Sequence, residues 1–349
     1  MPSSPNDTVA FIGLGVMGYP MAKNLRAGLA TNKTLLICDI NTEALDRFKT
    51  ETERSGPVEI IANGFEAAKV ANTVITMLPT SSSVKEVYLD PETGILAGAA
   101  ASSPSSSSPE HPKLLLECGT IDPPTIQLVH KTLESMRSIH PPLSNTFFVD
   151  APVSGGPMGA QSASLTFMVG CSPPNPDSSL TSIFSQIKSY LSTMGPPSSI
   201  FPCGPCGSGT AFKIINNYLS AITSLAASEA LNMGVKAGLD PKLLTEVINA
   251  SGGQCWVTSK SNPVPGVQEN VPSSRDYEGG FRIELCAKVL GMGSDLARAV
   301  GARTVLDGPT LAAFAEAMAD GRYKGKDARV VYRWLSESGS AAGNGEGEE

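Results

Sequence analysis

Histidine is nearly missing from this sequence: 349 residues include only His111, His130 and His140. All three lie in loop-like or helix-exposed stretches and none sits in a catalytic setting, so any proton transfer falls to another side chain. An excess of positive charge is missing as well. Lys and Arg number 26 against 33 Asp and Glu, a net charge of -7, which leaves no basic face for nucleic acid or an anionic membrane. No uninterrupted apolar run reaches the roughly 20 residues of a membrane helix, because Asn, Ser, Lys and Gly break every candidate.

Clusters of metal ligands are also lacking. The seven cysteines, Cys38, Cys118, Cys171, Cys203, Cys206, Cys255 and Cys286, are odd in number and scattered. That pattern suits a reducing compartment rather than a disulfide framework. Cys203 and Cys206 form one Cys-x-x-Cys, but neither a second pair nor a nearby His completes a site, so no metal is expected. Met1 to Asp7 holds neither an apolar h-region nor an Arg-rich pattern, and the chain ends on no peroxisomal or retention tripeptide.

What is present reads as two domains, as the length suggests. Thr8 to Ile12 is a short apolar run that stops at glycines, and a helical pattern starts near Gly15. Further strand-like runs occur at Leu35 to Cys38, Glu59 to Ile61, Thr73 to Met77, Leu114 to Leu116 and Phe147 to Val149, with helical patterns such as Thr42 to Arg54 between them. Strand alternating with helix predicts an α/β fold with a Rossmann-type, doubly wound parallel sheet. After Leu165 to Val169 and Ile200-Phe201 the pattern becomes helical only: about Ser208 to Ala237, a helix capped by Asp240 with Pro241 first, then Arg282 to Val300, Pro309 to Ala319 and Asp327 to Leu335. The expected division is a nucleotide-binding domain over 8–204, an all-helical domain over 205–335 joined by the long interdomain helix, and a disordered Gly/Ser/Glu tail over 336–349. The Ser/Pro-rich segment at 100–112 has nothing to bury and is expected to be a flexible surface insertion.

Gly13-Leu14-Gly15-Val16-Met17-Gly18 is a G-x-G-x-x-G between a strand and a helix, the context its chemistry needs. Gly13 allows the tight turn, Gly15 lets backbone approach a pyrophosphate, and Gly18 permits close packing of the helix whose N-terminus stabilises the anion. Asp39 closes the second strand roughly 20 residues later, where a carboxylate accepts from a ribose 2'-hydroxyl and repels a 2'-phosphate. No arginine follows in Ile40-Asn41-Thr42, so NAD is expected over NADP.

The long helix carries an oddity. Its apolar residues, Phe212, Ile214, Ile215, Leu219, Ile222, Leu225 and Ala226, point in nearly every direction, as in a helix surrounded by protein. Its polar residues, Lys213, Asn217, Ser220, Ser224 and Ser228, share one stripe at spacings of three and four. Such a lysine either snorkels to water or belongs to a site on a rigid element.

These motifs resemble the beta-hydroxyacid dehydrogenase family from about Val9 to Leu335. The resemblance is carried by the glycine turn with Pro20-Met21-Ala22-Lys23-Asn24-Leu25, by Ile75-Thr76-Met77-Leu78-Pro79-Thr80, Thr120-Ile121-Asp122-Pro123, Asp150-Ala151-Pro152-Val153-Ser154-Gly155-Gly156 and Leu165-Thr166-Phe167-Met168-Val169-Gly170, and by the Lys213 helix. It implies that Lys213 is the general acid/base and that Asn217 orients substrate. It implies that Ser154, Gly155 and Gly156 bind a substrate carboxylate, and that Leu78, Pro79, Thr120 and Lys288 contact the cofactor. Hydroxyl and unobstructed backbone donors at Ser154-Gly155-Gly156 suit a carboxylate.

Cys255-Trp256 and Asn262-Pro263-Val264-Pro265-Gly266-Val267 point within the family to 3-hydroxyisobutyrate, a small 3-hydroxy acid of valine catabolism, as substrate. Homo-oligomers, dimers or tetramers, and a mitochondrial location are implied in the same way, with the cytosol as the alternative. Two departures stand out: Val289 follows Lys288 where the family usually has Asp, and Ser83 stands where close relatives often have Asn. Two other readings stay open, an NADPH-dependent reductase of tartronate semialdehyde, succinic semialdehyde or glyoxylate, and a non-catalytic, cofactor-bound interaction module.

Overall fold

A computed structural model describes residues 8–102, 112–172 and 180–338, without the side chains of 180–182. Most of the Ser/Pro-rich insertion and residues 339–349 of the expected tail lie outside the described residues. The chain divides into two compact units between Lys213 and Ile214. The first runs β1 (Thr8–Ile12), α1 (Gly18–Gly28), β2 (Thr34–Cys38), α2 (Thr42–Thr52), β3 (Val58–Ile60), α3 (Gly64–Val70), β4 (Thr73–Thr76), α4 (Ser81–Leu89), α5 (Ile95–Ala100), β5 (Lys113–Glu117), α6 (Pro123–Arg137) and β6 (Thr146–Asp150). It continues through β7 (Val153–Ser154), α7 (Gly156–Gln161), β8 (Thr166–Val169), α8 (Leu180–Leu191) and β9 (Ile200–Pro202) into the start of α9 (Ser208–Lys236).

The main sheet has the order β3-β2-β1-β4-β5-β6, and every pair is parallel. Apart from the edge strand β3, its strands are buried on both faces, which is why they read as mostly apolar runs. Alternate residues serve opposite layers: Val9, Phe11, Leu114 and Leu116 pack on one side, Ala10, Ile12 and Leu115 on the other. The order reverses between β1 and β4, so the carboxyl ends of those strands frame the crevice where open α/β sheets bind ligands. A second sheet, β7-β8-β9, pairs antiparallel and then parallel. Its first strand is only two residues long, too short to leave a periodic signal.

The second unit is helical among its described residues: the rest of α9, α10 (Pro241–Asn249), α11 (Trp256–Lys260), α12 (Ile283–Ala299), α13 (Asp307–Ala319) and α14 (Val331–Ser338). Tyr277, Ile283, Leu290, Phe314 and Tyr323 form its main core. Residues 336–338, expected in the tail, continue α14. Glu337 accepts from the Tyr323 hydroxyl at 2.5 Å and pairs with Arg322 at 2.9 Å.

Burial along α9 differs from that of a helix surrounded by protein on every side. The polar stripe is inside: Lys213, Asn217, Ser224 and Ser228 are all buried. The serines tolerate burial because their hydroxyls donate back along the helix, Ser224 to the Ser220 carbonyl at 2.8 Å and Ser228 to that of Ser224 at 2.7 Å. Several of the exposed residues are apolar instead, with Phe212, Ile215, Leu219 and Met233 each more than half exposed.

Candidate active site

The glycine turn follows β1. Gly13 has φ of 96°, and a Cβ there would stand 2.5 Å from the Met77 carbonyl oxygen, so the position demands glycine. A side chain at Gly18 would collide with the Gly13 carbonyl, while at Gly15 nothing lies within 4 Å. Two glycines therefore serve packing and the third leaves open backbone, as a pyrophosphate requires. Leu14 is buried, Met17 is half-buried and Val16 projects to solvent. Helix α1 starts at Gly18 rather than near Gly15, because residues 15–17 are spent in the turn.

Asp39 lies just past β2. Its carboxylate accepts from the Leu14 amide of the turn and from the Asn41 amide at 2.7 Å, so it joins the end of the second strand to the glycine turn. These residues fit the adenosine half of a nicotinamide dinucleotide. The turn leaves room at Gly15, and Asp39 is half-buried beside it.

Leu78 and Pro79 leave the end of β4, and Thr120 leaves the end of β5, on the same side of the sheet. Leu78 is buried, Thr120 is half-buried and Pro79 is exposed. Thr80 caps α4 by accepting from the Ser83 amide at 3.1 Å, and the Ser83 hydroxyl stands 2.8 Å from that of Thr80. Ser83 is therefore engaged in ending its own loop.

Ser154 closes β7, and Gly155 (φ 134°) and Gly156 (φ 63°) lead into α7. At Gly156 no atom lies within 4 Å of where a Cβ would stand, which leaves its backbone open. Lys213 stands at the end of the first unit, in the second turn of α9. Burial lowers its pKa from 10.5 to about 8. Asn217 follows one helical turn later, within the second unit, and is also buried. Lys288 lies in the second unit on α12 and is exposed, while its neighbour Val289 is buried.

Two acids escaped the reading of the sequence. Asp150, the last residue of β6, accepts the Gly207 amide on one oxygen and the Thr210 amide on the other, each at 2.7 Å, and so caps the helix that carries Lys213. Side chains at Gly170 and Gly209 would collide with the Asp150 carboxylate and the Met168 carbonyl, so the start of α9 sits tightly on the ends of β6 and β8. Glu117, the last residue of β5, is fully buried, and burial pushes its pKa up to about 7. The available signal was an acid ending an apolar strand, as Asp39 nearly does.

Cys203 and Cys206 carry no activated thiol, since burial pushes both pKa values up. Among the described residues no group of three or more His, Cys, Asp or Glu is placed to hold a metal ion. Also among them, no helix is long and apolar enough to cross a membrane.

Residues 8–195 match the family model described as the NAD binding domain of 6-phosphogluconate dehydrogenase. Residues 207–335 match the one described as NAD-binding of NADP-dependent 3-hydroxyisobutyrate dehydrogenase. The chain is 37% identical to the mitochondrial 3-hydroxyisobutyrate dehydrogenase of Homo sapiens, over 94% of this chain and 87% of that protein. It is 34% identical to the NAD-dependent L-serine dehydrogenase of Pseudomonas aeruginosa, over 93% of this chain and 96% of that one. The solved structure of Mycobacterium tuberculosis 3-hydroxyisobutyrate dehydrogenase with L-serine is 31% identical, with a TM-score of 0.73, covering 94% of this chain and 98% of that one.

Proposed function

Because the chain belongs to the beta-hydroxyacid dehydrogenase family, in its 3-hydroxyisobutyrate dehydrogenase group, it is a nicotinamide-dependent oxidoreductase, and we propose that it oxidises 3-hydroxyisobutyrate to methylmalonate semialdehyde with NAD. The observation that carries this reading is Lys213, buried on a helix whose start Asp150 fixes, with a pKa lowered to about 8. A general base must be neutral to take a proton, and this amine is partly neutral at ordinary working pH.

In this reading Gly13, Leu14, Gly15, Val16, Met17, Gly18 and Asp39 hold the adenosine and pyrophosphate half of the dinucleotide, and Leu78, Pro79, Thr120 and Lys288 its nicotinamide side. The bound cofactor supplies a hydride acceptor. Ser154 offers a hydroxyl, and Gly155 and Gly156 offer amides, to the substrate carboxylate. Lys213 Nζ removes the proton of the substrate hydroxyl as the carbon–hydrogen bond is given up, and returns it in the reverse direction. Asn217, one turn along α9, orients the same hydroxyl. Asp39, with no arginine in the next three residues, favours NAD over NADP.

In this reading residues 8–204 form the nucleotide-binding domain, and 205–335 the helical substrate and oligomerisation domain. Support for the oligomer comes from α10, which buries Thr245 and exposes Leu243 and Val247, and from the apolar exposed side of α9. A mitochondrial location follows the names of the relatives.

L-serine is the second reading, because one relative is an L-serine dehydrogenase and serine offers the same carboxylate and 3-hydroxyl. Formation of reduced nicotinamide, followed with racemic 3-hydroxyisobutyrate and with L-serine, each with NAD and with NADP, tests both. The highest kcat/KM is expected for 3-hydroxyisobutyrate with NAD. A higher value for L-serine would overturn the substrate, and a higher value with NADP the cofactor.

A further inference from the structure

The loop after β4 and the loop after β5 are held together by a single buried carboxyl. Glu117 Oε1 accepts the Gly119 amide at 2.6 Å, and the Leu78 amide faces the same carboxyl. Its Oε2 lies 2.5 Å from Thr76 Oγ1, which in turn lies 2.8 Å from the Tyr88 hydroxyl. Glu117, Thr76 and Tyr88 are all fully buried.

The loops are also as close as backbone allows. A side chain at Gly119 would collide with the Leu78 carbonyl oxygen, and beyond it the Ser81 hydroxyl donates to Asp122. A strand end needs no acid for packing, and burying one has a cost that hydrogen bonds only partly offset. Leu114, Leu115 and Leu116 before it are the residues such a strand ordinarily uses.

We infer that Glu117 is a positioning residue for the cofactor. By holding the Gly119 amide on one oxygen and Thr76, the last residue of β4, on the other, it fixes the spacing of the two loops that receive the nicotinamide end of the dinucleotide. The inference rests on the reading above, in which Leu78, Pro79 and Thr120 touch that cofactor. Glu117 itself need not touch it. Thr76, backed by Tyr88, buttresses the carboxyl at Oε2, the oxygen that the Gly119 amide does not use, so that its two oxygens keep one orientation.

The test measures the Kd for NADH by fluorescence titration of the full-length protein, together with the thermal midpoint. Glu117→Gln keeps a carbonyl for the Gly119 amide and an NH2 for Thr76 Oγ1, and should bind NADH within about 1.5-fold of wild type. Glu117→Leu leaves the Gly119 amide without an acceptor and should raise the Kd by about tenfold or more. Thr76→Val removes only the buttress, is nearly isosteric, and should raise the Kd by about threefold. Thr76→Val also supplies the test if Glu117→Leu does not fold. Rescue by Gln but not by Leu or Val, with Thr76→Val melting within a few degrees of wild type, supports a positioning role. Wild-type NADH affinity in folded Glu117→Leu, or in Thr76→Val where Leu does not fold, would overturn the inference and leave the proposed function standing. Failure of the wild-type protein to bind NADH or NADPH would overturn both.

Discussion

The Asp150 carboxylate accepts the Thr210 amide at 2.7 Å, three residues before Lys213 on the same helix. An acid ending the sixth strand thereby fixes the start of the helix that presents the buried amine. Asp150→Asn keeps the shape but turns one of its two acceptors into an NH2 facing an amide. Turnover should fall by about tenfold or more through misplacement of Lys213, while NADH affinity changes little. Steady-state kcat beside an NADH titration checks this, and unchanged turnover would remove Asp150 from the arrangement.

The pKa of Lys213 sets the pH dependence of oxidation. Below about 8 the amine is mostly an ammonium and has no lone pair to accept a proton. For oxidation of the hydroxy acid, kcat/KM should therefore rise with pH and level off above about 8. Reduction of the semialdehyde needs the ammonium and should fall over the same range. A limb near the ordinary lysine value of 10.5 would show that burial does not hold the amine neutral.

Glu117 makes a stability prediction of its own. Its folded pKa is raised from 4.5 to about 7, so its contribution is fully present below 4.5 and is lost as pH rises through 7. Among the described residues, Tyr88 and Cys118 are the ionisable groups beside it, and burial keeps each neutral through that range. Glu117→Gln never ionises, so its melting temperature should gain on wild type between pH 5 and pH 8, by on the order of 3 kcal/mol of stability. A gap that stays constant with pH would contradict the raised pKa.

Asp39 should decide between the cofactors. Asp39→Asn removes the charge that repels a 2'-phosphate, and the ratio of kcat/KM for NAD over NADP should drop by about tenfold or more. Because Asp39 also bonds the Leu14 amide, some NAD affinity should be lost as well. A ratio that does not move would mean that discrimination lies elsewhere.

What the sequence made legible was whatever a short stretch decides by itself. The glycine turn could be read because Gly13 and Gly18 are forced by backbone atoms close at hand, and β5 because Leu114 to Leu116 are buried on both faces. The Lys213 stripe could be read from its spacing, and it is buried. Glu117 and Asp150 could not be assigned, because their meaning lies in groups elsewhere in the chain: Thr76 is brought to Glu117 by strand pairing, and Thr210 to Asp150 by the docking of α9. The two-residue β7 was too short to leave a pattern. The exposed apolar side of α9 has the composition of a buried helix, and composition does not say whether the cover comes from the same chain or from another.

The central claim is that Lys213 transfers the proton, and Lys213→Ala tests it most directly. NADH binding is measured first, to show that the variant is folded and loaded, and then turnover of 3-hydroxyisobutyrate with NAD. The expected result is an NADH Kd close to wild type and a kcat lower by roughly 100- to 10,000-fold. Near-wild-type turnover in a variant that still binds NADH would contradict it.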